Sequence, residues 1–100
     1  MNKSNIGKID VGNINHPGSI KSVDAATYEA MKRAWLNVLP KASPGLTADE
    51  IRQRLTNHLS QDLFPDGAGA GWWSKTVQLD LEAKGIVRRE RTRPLRWRKA

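Results

Sequence analysis

From residue 24 to residue 39 the apolar positions Tyr28, Met31, Trp35, Val38 and Leu39 recur at spacings of three, four, three and one, one stripe of a helix. Asp24 stands where an N-cap belongs, and Pro40 ends the run. Ser43-Pro44-Gly45 then predicts a turn. In Leu46-Thr47-Ala48-Asp49-Glu50-Ile51, Thr47 can cap the backbone N–H of Glu50 while Glu50 reaches back to Thr47, and Leu46 can pack on Ile51. This second helix buries Ile51, Leu55 and Leu59, with His58 beside the stripe and Arg52 and Arg54 pointing outward. Phe64-Pro65-Asp66-Gly67 and two further glycines predict a loop over 62–71. A third helix, roughly 72–84, carries Trp73, Val77 and Leu81 at intervals of four, with Gly85 as its stop. Residues 86–91 read as a strand, Thr92-Arg93-Pro94 as a turn, and 95–98 as a returning strand.

Upstream of Asp24 the pattern is different. Asn, Gly, Ser and Lys are interspersed with single aliphatics, and His16-Pro17-Gly18 is a turn signal. Residues 1–22 therefore read as a flexible arm, in which Ile9 and Val11 alternate as in one short strand laid on the domain or on a second copy. The expected architecture is α+β, mainly α: a winged helix at 23–100, with a three-helix core and a C-terminal β-hairpin wing. Three short amphipathic helices cannot each close a core, and a ribbon folded under them buries their common face.

The segment Val77-Gln78-Leu79-Asp80-Leu81-Glu82-Ala83-Lys84-Gly85-Ile86-Val87-Arg88 resembles the last helix and first wing strand of many bacterial winged-helix regulators. Gly45-Leu46-Thr47 resembles the short strand and cap that open their second helix. The whole chain, from Asn15-His16-Pro17-Gly18 through Tyr28-Glu29-Ala30-Met31-Lys32-Arg33, Asp62-Leu63-Phe64-Pro65 and Gly71-Trp72-Trp73 to Pro94-Leu95-Arg96-Trp97, is similar to a family of small uncharacterised bacterial single-domain proteins. The first resemblance implies a third helix facing the major groove of DNA and a wing resting on the flanking backbone.

Composition narrows the chemistry. One hundred residues, 38% of them hydrophobic, suffice for one core. The absence of cysteine excludes disulfides, thiol nucleophiles and thiolate metal sites. No apolar run is long enough to cross a bilayer, so a cytoplasmic protein without a membrane partner is expected. His16 and His58 lie at no metal-ligand spacing and in no triad pattern, and Gly67, Gly69 and Gly71 lack the Lys-Ser/Thr ending of a phosphate loop. A binding domain is expected rather than an enzyme, with no cofactor and no evident small-molecule substrate.

The charge is what points to a partner. Of the formal net +7, residues 1–87 contribute +1 and residues 88–100 contribute +6. Arginine forks suit phosphate oxygens, so Arg89, Arg91, Arg93, Arg96 and Arg98 are candidate backbone clamps for double-stranded DNA. Four such contacts would give a log–log salt slope near about −3.6. The competing use of these arginines, Arg88 and Arg89 above all, is pairing with Glu82, Glu90 or Asp80. On the third helix two registers are open, exposing either Ser74, Lys75, Gln78 and Glu82 or Trp72, Lys75, Thr76 and Leu79; Lys75, Thr76 and Gln78 are the candidate base readers. Adjacent helical residues point about 100° apart, so Trp72 and Trp73 are both buried only if something covers the second side. An uncovered Trp72 beside Leu79 would be a patch for a protein partner or a homodimer.

Overall fold

The structure, a computed structural model, describes residues 7–100. Asp24 ends strand β2 (Lys21–Asp24) and caps helix α1 (Ala25–Val38), its carboxylate accepting from the Thr27 N–H at 3.0 Å. The Thr27 hydroxyl, which donates to the same carboxylate at 2.6 Å, and then this N–H hold the Asp24 carboxyl below its ordinary pKa. Strand β3 (Leu46–Thr47) runs into α2 (Ala48–Leu55) through the expected capping box: the Glu50 N–H donates to Thr47 Oγ1 at 3.2 Å and the Thr47 N–H donates to Glu50 Oε1 at 2.9 Å. A 3₁₀ turn at Thr56–His58 and another at Pro65–Gly67 carry the chain to α3 (Ala70–Ala83), and Phe64 between them is buried as an anchor. After Gly85, whose φ of 74° suits a residue without Cβ, the chain forms β4 (Val87–Glu90) and β5 (Arg96–Lys99).

These elements make an α+β domain with three helices and two small antiparallel sheets. In the three-stranded sheet β5 lies between β3 and β4, with Leu46 opposite Trp97 and Arg89 opposite Trp97 on the other side. β3 approaches β5 so closely at Gly45 that a Cβ there would sit 2.2 Å from the Trp97 carbonyl oxygen, at a φ of +88°. Only glycine fits that position. Tyr28, Met31 and Trp35 of α1, Ile51 and Leu55 of α2, Val77 and Leu81 of α3, and Val87 and Trp97 of the ribbon form one core. No helix among the described residues is long and apolar enough to cross a membrane.

The amino-terminal segment differs from the flexible arm expected over 1–22. From Lys8 it is a hairpin, β1 (Lys8–Val11) paired antiparallel with β2 (Lys21–Asp24), and Val11 and Val23 belong to the core. Burying each valine contributes about 1.5 kcal/mol or more, enough to hold so short a ribbon. Two bonds pin its connecting loop to α3: the Gly12 N–H donates to Asp80 Oδ1 at 2.8 Å and the Ile14 N–H donates to the Leu79 carbonyl at 3.3 Å. Isolated aliphatics read as solvent-facing only while the partner surface is unknown. The expectation for residues 1–6 lies outside the described residues.

Candidate functional site

The last turns of α3 hold the polar residues that organise the domain. Asp80 is 0% exposed and accepts from the Gly12 N–H, from the Tyr28 hydroxyl and from Lys84 Nζ at 2.8 Å, so α1, α3 and the amino-terminal hairpin meet at one carboxylate. Burial, reinforced by Asp80, raises the Tyr28 pKa far above its ordinary value and keeps the hydroxyl a donor. Two residues further along the same helix, the carboxylate of Glu82 (9% exposed) takes both prongs of the Arg89 guanidinium, at 2.8 and 3.0 Å, and the Gln78 amide at 2.8 Å. Arg89 also covers the Trp97 ring at 5.8 Å from its centroid.

These bonds decide the register of α3. The exposed face carries Trp72 and Lys75, with Thr76 and Leu79 half-buried beside it. The other register is excluded, since Gln78 is 6% exposed and Ser74 accepts from the Trp35 indole N–H at 3.0 Å. The expectation that Gln78 reads a base is therefore corrected: its side chain is a strut to Glu82. Trp73 packs half-buried against the core while Trp72 stands edge-on to it, 5.1 Å between centroids at 87°, and remains 50% exposed with the Lys21 ammonium 5.2 Å from its ring centre.

The arginine set divides in two. Arg89 is tied to Glu82. Arg98 Nε donates to Glu90 Oε1 at 2.7 Å, and Arg96 Nη1 donates to the Gly45 carbonyl at 3.0 Å and reaches Glu50 at 3.4 Å. The Arg98 bond, followed by the Ser43 hydroxyl, holds the Glu90 carboxyl below the usual glutamate range. The Thr47 backbone N–H lowers Glu50 most, with Arg96 a smaller contributor. Arg89, Arg96 and Arg98, expected from composition as clamps, are each ion-paired within the domain, because Glu82, Glu50 and Glu90 are brought to the ribbon by the fold. Arg88 on β4 and Arg91 and Arg93 in the connecting turn are exposed, with no carboxylate partner among the described residues.

Two hollows, each about 630 Å³, are lined by different residues, though α3 and the ribbon contribute to both. One is a cleft shared by Ile14 and Asn15, the end of α3 and the ribbon, where Arg88, Arg89 and Arg91 converge with Leu95. The other is walled by α2, α3 and the loop before α3 over a floor from α1, and it takes in Lys75, Gln78 and Trp97. Lys75 thus belongs to the second hollow and not to the arginine-lined cleft. No group of three or more His, Cys, Asp or Glu among the described residues is placed to hold a metal ion.

Sequence reasoning missed the carboxylate junction at Asp80, the anchoring by Phe64 and the hollow beside α2. Only Tyr28 hinted at the first, as a hydroxyl inside an otherwise apolar stripe that needs a buried partner.

A family model, DUF6958, described as a family of unknown function, matches residues 8–97, and the chain belongs to that family. No curated protein and no solved structure matches it.

Proposed function

We propose that this DUF6958 domain is a non-catalytic winged helix that binds the sugar–phosphate backbone of double-stranded DNA through its terminal ribbon. The order helix, short strand, helix, helix and two-stranded ribbon supports the winged-helix reading, with the turn at 91–95 as the tip of the wing. The observation that carries the DNA reading is the set Arg88, Arg91 and Arg93: exposed, without described carboxylate partners, with Arg88 on β4 and Arg91 and Arg93 in the turn that joins the two paired strands. A planar guanidinium fork matches phosphate oxygens and loses less side-chain entropy per hydrogen bond than an ammonium does.

Base reading is not part of this proposal. The exposed face of α3 offers Trp72 and Lys75, Thr76 is half-buried, and Gln78 is inside. Binding by three backbone contacts is sequence-independent and weakens with salt along a log–log slope near about −2.7.

The experiment is a fluorescence titration of two unrelated duplex DNAs at several salt concentrations. The expected result is equal affinity for both duplexes and a slope reduced to about −0.9 in an Arg91→Gln/Arg93→Gln double variant with an unchanged melting curve. Failure of the wild-type chain to bind at low salt, or a double variant that keeps its slope, would overturn the reading.

One observation favours a second reading. Trp72 is 50% exposed, and Ile14 and Ile20 on the nearby loop are 43% and 66% exposed, an apolar surface suited to a protein partner or a second copy. Sedimentation over a range of concentrations distinguishes a homodimer from a monomer, with Trp72→Ser as the variant that abolishes association.

A further inference from the structure

The cleft beside the ribbon is more than a cationic surface, because it is concave and carries apolar side chains. Its volume of about 630 Å³ lies within the range of small-molecule sites. Ile14 and Asn15 line it from the loop at 12–20 that joins β1 to β2. That side is held in place: the Ile14 N–H donates to the Leu79 carbonyl of α3 at 3.3 Å, and the Asn15 N–H donates to Asn13 Oδ1 at 2.8 Å. From the ribbon come Arg88 on β4, and Arg91 and Leu95 in the turn that follows it.

These side chains are open to a ligand. Ile14 is 43% exposed and Leu95 39%, and Asn15, Arg88 and Arg91 are exposed as well. Arg88 and Arg91 have no carboxylate partner among the described residues. Glu82 also lines the cleft, but both prongs of Arg89 neutralise it. Counting Arg88, Arg89 and Arg91 against Glu82 and the terminal carboxylate of Ala100, the lining keeps a net positive charge. The Asn15 amide has no hydrogen-bond partner among the described residues and offers a donor and an acceptor, as the edge of an unpaired base requires.

A continuous duplex uses only part of this lining, since its phosphates reach the arginines while its bases stay stacked inside the helix. An unpaired nucleotide presents a phosphate and a flat base face together, and base faces pack on apolar side chains and guanidinium planes. We infer that the cleft between the loop at 12–20 and the ribbon is a site for one unpaired nucleotide, its phosphate at Arg88 and Arg91, its base face against Ile14 and Leu95, and its base edge at Asn15. The inference rests on the phosphate-binding use of Arg88 and Arg91 proposed above. The overhanging end of a DNA strand and a free mononucleotide share this chemistry, and the two sources are separated by experiment.

The full chain is titrated with deoxyadenosine monophosphate, with deoxyadenosine and with inorganic phosphate, following the backbone amide resonances. In parallel it is titrated with a blunt duplex and with the same duplex carrying a one-nucleotide overhang. The expected result is a saturable shift at Ile14, Asn15 and Arg88 with the nucleotide, and binding weaker by about fivefold or more for the nucleoside and for phosphate, since base and phosphate each supply part of the contact. A strand end as the source gives about a tenfold preference for the overhang, whereas a free nucleotide as the source gives the shifts without that preference. Ile14→Ser alters an exposed side chain and keeps the backbone bond to Leu79. It should weaken nucleotide or overhang binding by about fivefold and leave blunt-duplex affinity unchanged. The assignment is overturned by the lack of both a saturable shift in the cleft and an overhang preference, by nucleoside or phosphate binding as tightly as the nucleotide, or by indifference to Ile14→Ser. Each of these outcomes leaves blunt-duplex binding to be judged on its own result. A chain that takes the nucleotide in the cleft but binds no duplex at low salt overturns only the duplex reading.

Discussion

α3 and the carboxy-terminal ribbon use their polar residues in opposite ways. On the helix, Gln78, Asp80 and Glu82 point inward and hold other elements, while Trp72 is left half-exposed. On the ribbon, Val87 and Trp97 point inward, and three of the seven basic residues at 88–100 are arginines that remain exposed without described carboxylate partners. The helix that would read bases has Ser74, Gln78, Asp80 and Glu82 committed to structure and leaves Lys75 exposed. The ribbon, which carries no base-reading geometry, keeps unpaired cations at its surface. Glu82 is where the two regions meet, since it takes one arginine from the ribbon and fastens it to the helix.

The largest effect is expected at Asp80. Asp80→Ala leaves the Tyr28 hydroxyl and the Gly12 N–H without their acceptor in a buried place, and stability should fall by about 3 kcal/mol in urea unfolding. A loss below about 1 kcal/mol would mean that the polar side of α3 is not what joins hairpin to helix. Glu82→Gln comes next and sharpens the comparison directly. It should lower stability by about 1–2 kcal/mol while freeing Arg89, so that the DNA salt slope steepens by about 0.9. A variant that loses stability with no change in slope would show Arg89 to be outside the binding surface.

The smallest effect concerns pH. The folded-state pKa of Glu90 lies below its ordinary value, so its pair with Arg98 stabilises the fold fully above the ordinary glutamate pKa. That contribution is lost as pH falls through the lowered value. Denaturant midpoints measured downward from neutral pH should therefore decline less steeply in Glu90→Gln than in the wild-type chain. Identical slopes would place the acid sensitivity elsewhere, with Glu50 the next group to test because its capping bonds lower it in the same direction.

Much of the helical frame was legible because its signals are local. A cap and the N–H it satisfies are three residues apart, as at Asp24 and Thr27 or Thr47 and Glu50, and a buried stripe repeats every three or four positions. The terminal strands followed from alternation, their ends displaced by about one residue where ladder hydrogen bonding gives way to the turn. The site was less legible. Arginine forks at 88–98 announce phosphate binding and ion pairing equally well, and which use applies depends on carboxylates far along the chain, such as Glu50, which is 46 residues from Arg96.

The sequence alone determined the caps at which α1 and α2 start, that the excess charge is gathered at residues 88–100, and that thiol chemistry is absent, whereas α2 stops at Leu55, short of the expected Leu59, and α3 starts at Ala70 inside the expected loop. Tertiary structure alone decided that Gln78 faces inward, that Val11 and Val23 enter the core, and that Arg89, Arg96 and Arg98 are paired while Arg88, Arg91 and Arg93 have no carboxylate partner among the described residues. The reason is one of range. Backbone hydrogen bonding and helical periodicity act over a few residues, whereas burial and ion pairing depend on which distant surface arrives opposite a side chain, and that is settled only when the chain closes on itself.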